Sequence, residues 1–289
     1  MNTVKTGILM MVLTGLLLIA GYFSFGTPGV IAFLAISIAI NFFTYWSSDK
    51  LALRMAHAKE VFAEDEPDLH HLVDEYTLHA QVPKPRIYMI ESEASNAFAT
   101  GRNPQHAAIA VTSGLRRLLN RDELGGVICH ELAHVGNRDT LIMTTVATIA
   151  TAIGLIAIVA RFSMFFGGFG GRGRGGAGGY GAMAGIVGLL IVAIVLPLAA
   201  TLVRLAISRA REYQADATGA HTCGNPEALA NALEKMEMGS KEQPLQVNEA
   251  VSHLFIVNPL SGRGMSRLFS THPPISERVK RLRSIRLGW

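Results

Sequence analysis

His130-Glu131-Leu132-Ala133-His134 decides how this chain is read. On a helix the two histidines stand four residues apart, so both imidazoles leave one face and can grip one metal ion. Glu131 lies about 100° further round the helix. Its carboxylate can miss the ion and still reach a water beside it. That geometry supplies an activated water and a general base, which together point to peptide-bond hydrolysis. By chance the pattern arises in roughly two per cent of chains with this His and Glu content.

Two histidines do not complete a catalytic zinc site, which needs three protein ligands. Glu212, Asp216, His221, His253 and His272 are open to the third role. Glu212 is favoured because it lies just beyond an apolar span, in Arg211-Glu212-Tyr213-Gln214-Ala215-Asp216. The His130–His134 helix ends just before another span, so antiparallel spans bring the two segments together. Asp216, one turn on, can accept the free N–H of a metal-bound histidine and fix its tautomer. Asp139 reads mainly as a helix stop, with a histidine as its other partner. Arg278 reads as a structural ion-pair partner, and less as an oxyanion contact.

The composition points to a membrane. The chain has 289 residues, 49% of them hydrophobic and only 17% charged, against about 25% charged in ordinary soluble domains. Mean hydropathy is +0.31. Four apolar stretches, roughly 6–25, 29–46, 141–160 and 183–203, reach the length of about 20 residues that crosses a bilayer. The short link Phe25–Thr27 makes a hairpin of the first two. Cations Lys50, Arg54 and Lys59, then Arg204, Arg209, Arg211 and the tail Lys280, Arg281, Arg283 and Arg286, assign both polar regions to the cytoplasm. Arg161, Arg172 and Arg174 in the Gly-rich loop 161–182 oppose that assignment. A shallow hairpin that does not fully cross also accounts for them.

The expected organisation is a transmembrane hairpin over 1–48, a first protease part with the zinc helix over 49–140, spans three and four over 141–203, and a second part with the third ligand over 204–289. The net charge of +4 comes with no basic run interleaved with aromatics, which argues against nucleic acid. Cys129 and Cys223 belong to no CxxC pair and fit a reducing compartment, Cys129 as a small buried residue. Asp122, Glu123, Asn137, Arg138 and Asp139 flank the motif and exclude a site inside the lipid. Spans without ionisable residues argue against a metal transporter.

Local patterns give the elements. Residues 47–80 read as helical, closed by Pro83 and Pro85. Arg86–Ile90 reads as a strand, and Ala97–Thr100 and Ala107–Thr112 flank a turn at Gly101-Arg102-Asn103-Pro104. Asn120 and Glu123 cap a helix that reaches about Gly136. Further helices start at Asn225-Pro226, through about Met238, and at Pro273-Pro274, with Ile275, Val279 and Leu282 as an apolar stripe. The strand Ala107, Ala108, Ile109, Ala110 and Val111 is the natural edge for an extended substrate.

The pentad, Arg211–Asp216, Asn96-Ala97-Phe98-Ala99-Thr100-Gly101 and Thr271-His272-Pro273-Pro274 together resemble the M48 membrane zinc metalloproteases. The likeness covers nearly the whole chain. It implies a mainly α integral membrane protein, with four transmembrane helices and a cytoplasmic zincin-like α+β metalloprotease domain holding a small β-sheet. It implies one Zn2+ per chain on His130, His134 and Glu212, with Glu131 catalytic. His272 then steadies the oxyanion, and Asn96 holds substrate backbone beside Ala107–Val111. The implied partners are the lipid bilayer and unfolded or damaged membrane proteins, cut in quality control and stress response at a bacterial inner membrane. The prenyl-protein branch of the family, which has more spans, and a non-catalytic client-binding scaffold are the alternatives.

Overall fold

The computed structural model describes residues 2–143, 145, 209–245, 247, 249–257 and 273–286. Most of the third apolar span, the whole fourth span, the Gly-rich loop and His272 lie outside the described residues.

Helix α1, Asn2–Met55, is broken at Gly26, whose φ of 65° and ψ of −146° suit glycine alone, and Pro28 restarts the helix. The chain reverses there. Asn41 Nδ2 donates to Thr14 Oγ1 at 2.8 Å, whereas in one straight helix these residues would stand about 40 Å apart. Gly21 lets the arms close, since a Cβ there would lie 2.6 Å from the Gly29 carbonyl oxygen. Among the described residues one helix, Gly26–Ser47, is long and apolar enough to cross a membrane; Thr6–Ile19 is a shorter apolar helix. The second arm runs on without a linker, burying Ala52 and Leu53 in the core.

The reading of 47–80 as a single helical run is corrected. His57, in the left-handed region at φ 54°, ends α1. Strand β1, Lys59–Glu60, follows, and α2, Pro67–Ala80, starts afresh at its proline. Helical spacing of Leu69, Leu72 and Val73 is real, but it belongs to α2 alone.

Three more strands, β2 (Arg86–Ile90), β3 (Ala97–Gly101) and β4 (Ala107–Thr112), complete a sheet of order β1-β2-β4-β3. β2 and β4 are parallel; the other pairs are antiparallel. Alternate residues face two cores. Ile87, Met89, Ala97, Ala99, Ile109 and Val111 meet the helical layer, while Tyr88, Ile90, Phe98, Ala108 and Ala110 meet the end of α1 and Leu254 and Phe255. Burial on both faces explains strands that are apolar throughout. The expectation that Ala107–Val111 is an open edge fails, because β4 pairs with β2 on one side and β3 on the other. Strand order arises from non-local pairing, which local patterning does not encode. The open side belongs to β3. Thr112 N–H donates to the Asn96 carbonyl at 3.0 Å, and alternation from that bond turns the backbone groups of Ala97, Ala99 and Gly101 outward.

After α3 (Ser113–Leu118) comes α4, Arg121–Gly136. Its start is a full capping box: Glu123 N–H donates to Asn120 Oδ1 at 2.9 Å, and Asn120 N–H to Glu123 Oε2 at 3.0 Å. α5 (Arg209–Cys223), α6 (Pro226–Glu242), a 3₁₀ turn at Glu249–Leu254 and α7 (Ile275–Ser284) follow. α6 continues past the expected end at Met238. α4 is buried on nearly all sides from Glu123 to Val135. Gly219 brings α5 hard against it, since a Cβ there would stand 2.9 Å from the His130 backbone nitrogen.

Candidate metal centre

α4 contributes His130, Glu131 and His134, and α5 contributes Glu212 and Asp216, all buried. Glu212 Oε1 lies 3.7 Å from His134 Nε2, and Oε2 lies 4.0 Å from His130 Nε2. One ligand atom from each of His130, His134 and Glu212 falls within 4.8 Å of the others. These separations are too long for hydrogen bonds. They approach the spacing of about 3.4 Å expected of donors each about 2 Å from a tetrahedral zinc.

The far side of each imidazole is held by a carboxylate. His130 Nδ1 lies 3.0 Å from Asp216 Oδ1, and His134 Nδ1 lies 3.2 Å from Asp139 Oδ2. A carboxylate only accepts, so each Nδ1 carries a proton, and in the neutral imidazole that ligates a metal each Nε2 then presents its lone pair toward Glu212. Asp139 reaches His134 because Arg138 takes the left-handed conformation, φ 58°, just past the end of α4.

Charge makes the same case for a cation. Glu131, Glu212, Asp139 and Asp216 are buried together, against the buried guanidiniums of Arg211 and Arg278. Among the described residues the carboxylates outnumber the guanidiniums, and like charges buried together repel. A divalent cation eases that repulsion, and two imidazoles with a carboxylate are donors that zinc takes, so the residues fit it.

Arg278, fully buried, is more central than its place in the sequence indicated. It grips Asp216 with Nε at 2.8 Å and Nη2 at 2.6 Å, lies 3.4 Å from His130 Nε2, and donates to the Ile256 carbonyl at 3.3 Å. The overlooked signal was an arginine lying inside the apolar stripe Ile275, Val279 and Leu282. Burial alone would raise the Asp216 carboxyl, but the Arg278 charge and bonds override it and hold it at about 2. Burial, reinforced by the Glu212 charge, raises Glu131 above the ordinary carboxylate range, against the pull of both histidines and the Ala99 N–H bond. Burial works against a proton on His134, yet the Asp139 bond and nearby carboxylates carry it to about 9.

The other candidates lie apart from the three ligands. His253 is buried with Nε2 3.1 Å from the Met143 carbonyl oxygen, and His221 is exposed near the end of α5. Asn96, expected to hold substrate, has its amide engaged at both ends by Val257. Nδ2 donates to the Val257 carbonyl at 2.6 Å, and Oδ1 accepts the Val257 N–H at 3.2 Å. With Ile256 N–H on the Ala97 carbonyl at 3.0 Å, this segment covers one end of the open side of β3. Sequence reading missed Ala99 as well: its backbone bond to the Glu131 carboxylate sets β3 against the site.

The pattern of Peptidase family M48 matches residues 63–286. Two relatives described as "Protease HtpX homolog" are each 48% identical. That of Pelotomaculum thermopropionicum aligns over 99% of this chain and 99% of its own. That of Pyrococcus furiosus aligns over 98% of this chain and 95% of its own. A solved structure, "Crystal Structure of S. mikatae Ste24p", has a similar fold, with a TM-score of 0.55 at 20% identity over 97% of this chain and 65% of that one. By sequence and by the ligand set it brings together, the chain belongs to peptidase family M48.

Proposed function

We propose that this chain is a membrane-anchored zinc endopeptidase that cuts misfolded or damaged membrane proteins on the cytoplasmic side of a bacterial inner membrane. The carrying observation is the meeting of His130, His134 and Glu212 beside Glu131. A zinc ion bound there would supply a Lewis acid that brings the pKa of water toward about 7 and polarises a carbonyl. Glu131 then accepts a proton from the attacking water and delivers it to the leaving amine. Its raised pKa, from burial and the Glu212 charge, suits a group that takes up and gives back a proton. Asp216 and Asp139 keep both imidazoles oriented throughout.

Substrate lies extended along β3, pairing with the outward Ala99 carbonyl and the backbone of Gly101, beyond the end covered by Val257. Backbone pairing confers weak sequence preference. The anchor reading rests on Gly26–Ser47 and the first hairpin arm, and the cytoplasmic side on Lys50, Arg54 and Lys59 just past it. The protease then consists of two parts, 49–140 and 204–289, separated by spans three and four.

The test is digestion of an unfolded protein by the purified chain. Zinc analysis should find one ion per chain, chelator should stop cleavage and added zinc should restore it. Glu131→Gln should keep the ion and lose at least about 100-fold in rate. Digestion by that variant at the parent rate overturns the proposal.

A further inference from the structure

The end of the first hairpin gathers cations around an exposed tryptophan. The apolar helix Gly26–Ser47 has 22 residues, about 33 Å at 1.5 Å each, close to the roughly 30 Å of a bilayer's hydrocarbon. Its last turns expose Phe42, Phe43, Tyr45 and Trp46. The Phe42 ring centroid lies 6.0 Å from that of Trp46, and Tyr45 meets Trp46 edge-on at 5.6 Å. Such a collar suits the level where acyl chains give way to headgroups. Arg102, from the turn between β3 and β4, holds its guanidinium 4.6 Å over the Trp46 ring. Lys50, exposed, leaves α1 one turn past Trp46, about 40° round the helix. Arg54, also exposed, follows a turn later.

Among the described residues none of these three cations pairs with a carboxylate. Asp49 is the sole acidic residue of α1. It is buried instead, with Oδ2 3.3 Å from Arg86 Nη2. The positive charge beside Trp46 therefore has no counterpart within the fold, and an anion from outside complements it. We infer that Lys50 and Arg102, ordered by Trp46, bind the phosphate of an acidic phospholipid in the leaflet beside the metal-bearing domain. The inference rests on the reading of Gly26–Ser47 as a membrane crossing, and not on catalysis at the metal centre.

The chemistry divides among the side chains. The Trp46 ring occupies one side of the Arg102 guanidinium and leaves its N–H edge to donate to two phosphate oxygens at once. The Lys50 ammonium adds a point charge from the helix. Phe42 and Phe43, one turn back toward the membrane, meet the acyl chains. Arg54 strengthens the field without touching Trp46. An acidic lipid fits better than a neutral one, because a choline headgroup carries its own cation to a place that already holds two. Arg102 directly follows Gly101, so the bound lipid also ties the open side of β3 to the bilayer surface.

The test uses contact quenching of fluorescence. Trp289→Phe leaves Trp46 as the sole tryptophan. The full chain with that change is placed in vesicles of phosphatidylglycerol and phosphatidylcholine, with bromines on the acyl chains of one lipid or the other. Brominated phosphatidylglycerol should win the place beside Trp46 about fivefold over phosphatidylcholine at equal mole fraction, and salt should shrink that preference. Lys50→Gln combined with Arg102→Gln should bring the two lipids to parity. Lys59→Gln, an exposed cation past the end of α1, should keep the preference of the parent. Equal quenching in the parent, a preference that survives the double change, or its loss in Lys59→Gln overturns the inference. So does its erasure by millimolar inorganic phosphate, which would make this a site for free anions. Quenching by neither lipid takes Trp46 out of the bilayer and overturns the anchor reading as well.

Discussion

Two aspartates act on two imidazoles from behind, and each can be tested alone. Asp139→Asn and Asp216→Asn should each weaken zinc binding about 10–100-fold, measured by competition with a chelating dye. His221→Ala, exposed near the end of α5, should leave it unchanged. Asp216 also carries a pH signature. Its carboxyl is held at about 2 when folded, against about 4 in an unfolded chain. A depressed carboxyl supports the fold fully above pH 4 and loses that support as pH falls toward 2. Denaturant midpoints of the parent should therefore drop over that window. Asp216→Asn should drop less steeply there, from a lower start, because Arg278 loses its bidentate partner. An equal slope in both proteins removes Asp216 from the acid response. The ligands themselves were legible because a helix converts spacing of four into a shared face, for His130 with His134 and for Glu212 with Asp216. Asp139 and Arg278 were harder. One depends on a left-handed residue at Arg138, and the other on a helix that arrives from the end of the chain.

Elements show the division between local and distant information. Asn120 with Glu123 announces the start of α4 within four residues, and the structure has that cap bond for bond. Asn120→Ala should cost about 1 kcal/mol in unfolding free energy. The sheet was legible as strands but not as an order. Nothing in Arg86–Ile90 shows that it pairs with β4, so the open side was assigned one strand too far inward. α1 and α2 merged for a related reason: each is helical, and a break at one left-handed histidine leaves little trace in hydrophobic spacing. The contact between α4 and α5 is the closest in the site, and Gly219 is its gauge. Gly219→Ala should force the helices apart, lower stability by roughly 1–3 kcal/mol and weaken zinc binding, because Glu212 withdraws from both imidazoles. Calorimetry with zinc titration measures both; unchanged values would mean the helices yield freely.

At the scale of the whole molecule, carboxylates from two helices buried around one site tie the fold to its ion. Chelation should lower the unfolding temperature of the protein in detergent, and zinc should recover it. Glu212→Gln should melt at the same temperature with and without chelator if that carboxylate completes the site. The fold is also fastened to its first hairpin at several points. Asp49, near the end of α1, lies 3.3 Å from Arg86 of β2, and the Arg102 guanidinium sits 4.6 Å over the Trp46 ring. With the hairpin embedded in lipid, the scissors would hang on a rigid bracket instead of a leash. Their working altitude would then be set once, close to the headgroups, and a polypeptide would be cut only where it is threaded through that thin layer.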